Sequence, residues 1–208
     1  VVNRWFGFAQ QHSDTLVIAC NTLSVRYQQL TGSKPHESDL DHIVTMVDCF
    51  RAMAKIESQR LQNRKVLVVG TEFTASQDVY PGILESHIPG VDVATIGATE
   101  LERRIARFLP LEDDGGSVFE GALKTAIENT EVVVLSCTCF PMVKSKLQAL
   151  FPGVTFLDPG RYCAGLLEER LQSGTRNIRI KVTGQVVSGH DVRQFARSYL
   201  DGASNVSA

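Results

Sequence analysis

The chain's 208 residues, 43% of them hydrophobic, are enough to bury a core as one large domain or two small ones without covalent staples. Its 21 Lys and Arg against 23 Asp and Glu leave a net charge of −2. The longest basic run is no more than a pair such as Arg103-Arg104, so neither nucleic acid nor an anionic membrane is indicated as a partner. No apolar stretch nears the roughly 18 residues of a membrane-spanning helix, and the N-terminus lacks the basic-then-apolar layout of a signal peptide. Five scattered cysteines, Cys20, Cys49, Cys137, Cys139 and Cys163, suit free thiols in a reducing compartment, which predicts a soluble cytoplasmic protein. The opening Val1-Val2, in place of Met, is read as the start of a fragment.

In chain order, residues 3–11 form a short predicted helix whose aromatics Trp5, Phe6 and Phe8 pack on a sheet. A strand over 15–19 ends in the polar corner Cys20-Asn21-Thr22, and a helix over 24–30 follows. Residues 39–62 carry apolar positions at helical spacing and could form one long helix. The β-branched cluster Ile43-Val44-Thr45 with Val47 favours instead a strand over 42–47, a corner at Asp48 and a helix over 49–61. The buried strand 65–69 ends in Gly70-Thr71-Glu72-Phe73-Thr74, where a glycine turn and two hydroxyls suit an anion at a helix start, with a helix over 76–85 next.

A strand over 91–96, a charged, solvated helix over 99–108, a loop over 111–117 and a helix over 118–129 lead into a second apolar strand. It ends in Ser136-Cys137-Thr138-Cys139-Phe140-Pro141. A helix over 143–150, a strand over 154–157, the corner Asp158-Pro159-Gly160, a helix over 162–172, a strand over 178–182 and a helix over 191–200 complete the order. The small, polar tail 202–208 is expected to fray. This alternation predicts an α/β fold with mostly parallel sheets.

Two strand ends therefore deliver a cysteine beside hydroxyl and amide side chains, where open α/β sheets place their ligands. A thiol with a reference pKa of about 8.5 has both protonation states within reach near neutral pH. Cys20 and Cys137, opposed across a cleft, could remove a proton from one face of a carbon acid and return one to the other. Asn21, Thr22 and Thr138 would bind the substrate's carboxylate and amino groups, and no metal or organic cofactor is required. Cys137 and Cys139 lack the further ligands of a structural zinc site, and Cys49 and Cys163 sit in helical patterns as core residues.

The motifs Ile18-Ala19-Cys20-Asn21-Thr22-Leu23-Ser24 and Ser136-Cys137-Thr138-Cys139-Phe140-Pro141 resemble the two cysteine motifs of the glutamate racemases, in the cofactor-independent aspartate/glutamate racemase superfamily. Gly70-Thr71-Glu72-Phe73-Thr74, with Tyr80 downstream, is similar to that family's substrate-binding turn. The resemblance implies a two-base racemase interconverting L- and D-glutamate for peptidoglycan, with Cys20 and Cys137 as the acid/base pair. It also implies that Asn21, Thr22, Thr71, Thr74 and Thr138 bind the amino-acid substrate. Further implications are two α/β lobes around an active-site cleft, residues 1–64 plus 161–208 and residues 65–160, and a homodimer. Other readings left open are an aspartate or hydantoin racemase, a decarboxylase, or a non-catalytic homologue that binds an acidic ligand. Three departures stand out. The family's opening strand has no counterpart here, Cys139 stands where the family has histidine, and Glu100 and Glu102 compete for the place of its assisting acid.

Overall fold

The computed structural model describes residues 2–13, 15–31, 42–107, 109–113, 116–168, 178–179 and 206–207. Contacts divide the chain into two units, Val1–Glu169 and Arg170–Ala208. The first opens with α1 (Val2–His12), β1 (Thr15–Ile18), α2 (Asn21–Thr31), β2 (His42–Thr45), α3 (Met46–Ile56) and α4 (Ser58–Leu61). Then come β3 (Lys65–Gly70), α5 (Glu72–Ala75), α6 (Val79–His87), β4 (Asp92–Gly97) and α7 (Thr99–Ala106). A two-residue hairpin, β5 (Glu112–Asp113) and β6 (Gly116–Ser117), occupies the expected loop, followed by α8 (Gly121–Glu128) and β7 (Val132–Leu135). A 3-10 turn (Phe140–Val143), α9 (Lys144–Leu150), β8 (Thr155–Leu157), a second 3-10 turn (Pro159–Tyr162) and α10 (Cys163–Leu167) close the unit's described part.

Both sheets that carry the cysteine corners are parallel. β1 pairs with β2, Thr15 opposite His42 through Ile18 opposite Thr45. The larger sheet has the order β4-β3-β7-β8. Its central strands, Val66 to Gly70 and Val132 to Leu135, are buried throughout because helices cover both faces. Alternate residues serve opposite faces. Val66, Val68, Val132 and Val134 pack with Phe50, Met53, Leu61, Tyr80, Leu84 and Ile88 on one side. Leu67, Val69, Val133 and Leu135 pack with Leu101, Ile105, Ile127, Phe140 and Leu147 on the other. Each fully buried aliphatic or aromatic side chain contributes about 1.5–3 kcal/mol, so this two-sided layer is the main stabilising mass behind the site.

α3 is the element that joins the two sheets. Met46, Val47, Cys49, Phe50, Met53 and Ala54 are buried at helical spacing, one stripe of an amphipathic helix. Its start corrects the expected corner at Asp48, since β2 ends at Thr45 and the helix begins at Met46. Thr45 Oγ1 accepts from the Asp48 N–H at 3.2 Å while the Asp48 carboxylate accepts from the Thr45 N–H at 3.0 Å. This capping box satisfies two backbone donors that the helix start would otherwise leave unpaired. The helix expected over 76–85 starts later, as α6, and a separate short helix, α5, occupies the turn before it.

The N-terminal aromatics divide their contacts differently from the expected sheet packing. Phe6 stacks on Tyr27 of α2 at 5.4 Å between ring centroids, and the exposed Phe8 stacks on His12. In the second unit, β9 (Ile178–Arg179) pairs in parallel with β10 (Val206–Ser207), so these two tail residues are strand-paired where fraying is expected. The helix expected over 191–200 lies outside the described residues. Among the described residues, no helix is long and apolar enough to cross a membrane.

Candidate active site

Cys20 follows β1 at its C-terminal end and is exposed. Asn21 opens α2 and is buried, 3% exposed. The corner between them is held by Ser24, whose hydroxyl donates to the Ile18 carbonyl at 3.1 Å and accepts from the Met46 N–H at 3.0 Å. One fully buried serine thereby ties β1, α2 and the start of α3 together. Its place in a motif marks it, but its long-range partner, 22 positions away, has no sequence signal.

The Gly70 turn places Thr71 as the cap of α5, its hydroxyl accepting from the Thr74 N–H at 3.3 Å. A side chain at Gly70 would press within 3.1 Å of Thr74 Cβ, and one at Gly97 would lie 2.9 Å from Glu72 Cα. These paired glycines let α5 sit directly on the ends of β3 and β4. Thr22 Oγ1 then lies 3.2 Å from both Thr71 Oγ1 and Thr74 Oγ1, which are 3.1 Å from each other. Three hydroxyls from two distant segments form a closed triangle of donors and acceptors, suited to a carboxylate.

The second corner meets the first through Thr138, whose hydroxyl donates to the Ala19 carbonyl at 3.3 Å. The residue before Cys20 and the residue after Cys137 are therefore in direct contact. Tyr80 reinforces the junction, its buried hydroxyl donating to Asn21 Oδ1 at 2.5 Å. Burial first, and then the charges of Cys20, Cys49 and Cys137, push the Tyr80 phenol well above its usual range, so it remains a neutral donor with both corner thiols in electrostatic reach. Asn21 Nδ2 and Ser136 Oγ are buried without a hydrogen-bond partner. An unpaired buried amide is costly, and Asn21 Nδ2 is a donor available to a bound group.

Cys137 Sγ is 3.4 Å from Cys139 Sγ. The Cys139 S–H bond lowers the Cys137 thiol, with the backbone N–H groups of Cys139 and Thr138 acting in the same direction against burial and the charge of Glu102. Cys139 is pushed upward by the same hydrogen bond and by burial, so it is the proton holder of the pair. Cys49 is likewise raised, to about 12, by burial and then by Cys163. The two acidic candidates separate cleanly. Glu100 binds Arg103 and Arg104 on the solvent side at 2.6–2.8 Å, which lowers its carboxyl to about 2. Glu102 is the carboxylate whose charge reaches Cys137 and Cys139.

The seven residues assigned from the sequence to proton transfer or substrate binding lie at the two cysteine corners and the threonine turn between them. Tyr80, Ser24 and Glu102 extend the set.

The family model described as Asp/Glu/Hydantoin racemase matches residues 7–167. A curated glutamate racemase from Glaesserella parasuis is 28% identical over 172 residues, 79% of this chain and 60% of that protein. One from Campylobacter jejuni is 28% identical over 184 residues, 84% of this chain and 68% of that protein. The chain therefore spans about 60–70% of the length of these relatives. The fold matches the crystal structure of glutamate racemase RacE1 from Bacillus anthracis with a TM-score of 0.70 at 18% identity, covering 96% of this chain and 75% of that one. It matches the Campylobacter jejuni glutamate racemase structure with a TM-score of 0.65 at 21% identity, covering 96% and 78%.

Proposed function

The chain belongs to the Asp/Glu/hydantoin racemase family, and from that premise we propose that it interconverts L- and D-glutamate by proton transfer between Cys20 and Cys137. The observation that carries this reading is the contact of Thr138 with Ala19, which brings the two cysteine corners together across 119 positions of sequence. Glutamate is favoured over other acids by the curated relatives, which are glutamate racemases.

In this reading Cys137, with the lowered thiol, is the resident thiolate and removes the α-proton from one face. Cys20, as thiol, delivers a proton to the opposite face and inverts the centre. Cys139 stabilises the Cys137 thiolate by donating its S–H, and takes the place of the histidine that the family pattern has. The Thr22, Thr71 and Thr74 hydroxyls hold a carboxylate, and donors fixed in place before the reaction stabilise charge as it develops there. Asn21 Nδ2 and Thr138 meet the remaining polar groups of the substrate. The chain acts as a cytoplasmic homodimer that supplies D-glutamate for peptidoglycan.

The test is incubation with L-glutamate in D₂O, following the α-proton by NMR together with optical rotation. Exchange with loss of rotation supports glutamate racemisation. Exchange with aspartate alone would move the assignment to an aspartate racemase, and melting stabilised by glutamate without exchange would make the chain a binding homologue.

A further inference from the structure

The corner after β7 holds two thiols, although proton transfer at this corner needs only one. Cys137 Sγ and Cys139 Sγ are already in van der Waals contact at 3.4 Å. The Phe140 N–H donates to the Cys137 carbonyl at 3.0 Å, closing a turn over residues 137–140. Such a turn keeps its first and fourth Cα atoms within about 7 Å. Its first and third are closer, within the roughly 4.4–6.8 Å that a disulfide spans. Side-chain rotation can therefore bring the sulfurs together while β7 stays in its sheet.

Both thiols are partly exposed, and the lowered Cys137 thiol supplies the thiolate that reacts. Cys49 and Cys163 also lie side by side, yet Cys49 is fully buried and holds its proton to about 12. The two pairs differ in access and in protonation.

We propose that Cys137 and Cys139 form a peroxide-reactive dithiol, a modification site at which hydrogen peroxide closes an intrachain disulfide. The Cys137 thiolate attacks one peroxide oxygen; the O–O bond breaks, a sulfenic acid forms, and hydroxide leaves to be protonated as water. The Cys139 sulfur then attacks the sulfenyl sulfur, the S–O bond breaks, and the departing hydroxide takes the Cys139 proton as a second water. Two thiols lose two electrons in total and one peroxide gains them. A dithiol reductant reverses the closure by exchange. Loss of racemisation on closure rests on the proposed role of Cys137; formation of the disulfide does not.

The experiment treats the reduced full chain with hydrogen peroxide, alkylates free thiols and digests with trypsin. Residues 125–144 form one peptide containing Cys137 and Cys139 and no other cysteine. The expected peptide is unalkylated, lighter by two hydrogens, and doubly alkylated after dithiothreitol. In Cys139→Ser, Cys137 should instead be trapped by dimedone as a sulfenic acid. A peptide that stays doubly alkylated, a crosslink to the Cys20 peptide, or Cys137 sulfinic acid beside alkylated Cys139 would overturn the proposal. In parallel, the glutamate α-proton exchange rate should fall at least about tenfold and return on reduction. Disulfide without any exchange in the reduced chain would sink the racemase reading and leave the dithiol standing. Exchange that survives peroxide, with no disulfide, would do the reverse.

Discussion

Tyr80 donates its hydroxyl to Asn21 Oδ1 at 2.5 Å, joining the helix after the threonine turn to the residue after Cys20 across 59 positions of sequence. The phenol ring stacks on Phe50 at 4.2 Å between centroids and is almost wholly buried, so the bond is made in the core and aims at the site.

Tyr80→Phe keeps that ring packing and removes the donor. Asn21 Oδ1 then joins Asn21 Nδ2 as a buried atom without a partner. Equilibrium urea unfolding should show a loss of about 1–3 kcal/mol. Unchanged stability would mean that Asn21 finds another partner.

Gly97→Ala tests how closely α5 must approach the sheet. The new methyl would lie 2.8 Å from Glu72 Cγ and 2.9 Å from Glu72 Cα, and the second of these is backbone. The helix must move, carrying Thr71 and Thr74 with it. The expected outcome is a loss of about 1–3 kcal/mol in thermal or urea unfolding, with weaker glutamate binding by calorimetry. A variant that retains both properties would show that the threonine triangle tolerates displacement.

Cys49 gives the alkaline limb of stability a definite sign. Its folded pKa, about 12, stands well above the ordinary thiol range, chiefly because burial disfavours the thiolate. The folded state therefore holds this proton more tightly than the unfolded chain. The stabilisation is fully present below pH 9.0 and is lost as pH rises toward about 12. Unfolding free energy measured across that window should fall more steeply in the parent chain than in Cys49→Ala. Parallel slopes would contradict the assignment.

Cys139→His replaces a weak hydrogen-bonding thiol beside Cys137 with a stronger acid/base group. A positioned group of this kind contributes roughly 10²–10⁴-fold to proton transfer, and the variant's glutamate exchange rate should rise toward that range. No gain would show that the Cys139 thiol already fills the role.

The succession of strands along the chain and both cysteine corners were legible because the buried strands are short, β-branched and apolar, and end abruptly in polar residues. Boundaries set by side-chain capping were less so. Thr45 reads as one more β-branched strand residue until Asp48, three positions on, is taken with it as a capping box. Composition marked the charged helix α7 as solvated, yet one turn carries Glu100 into an arginine cluster and Glu102 toward the thiols. Long-range bonds such as Ser24 to Met46 and Thr138 to Ala19 depend on tertiary packing and leave no periodic trace. The sequence also held no sign that Val206–Ser207 pairs with Ile178–Arg179, since a two-residue strand is too short to show an alternating pattern.

If Cys20 and Cys137 move the α-proton between them, glutamate racemisation in D₂O must depend on both thiols, which is measured with Cys20→Ser, Cys137→Ser and Cys49→Ser beside the parent chain. The first two should each lose about 10²–10⁴-fold in rate while Cys49→Ser keeps the parent rate. Equal rates in all three variants would contradict proton transfer between these two thiols.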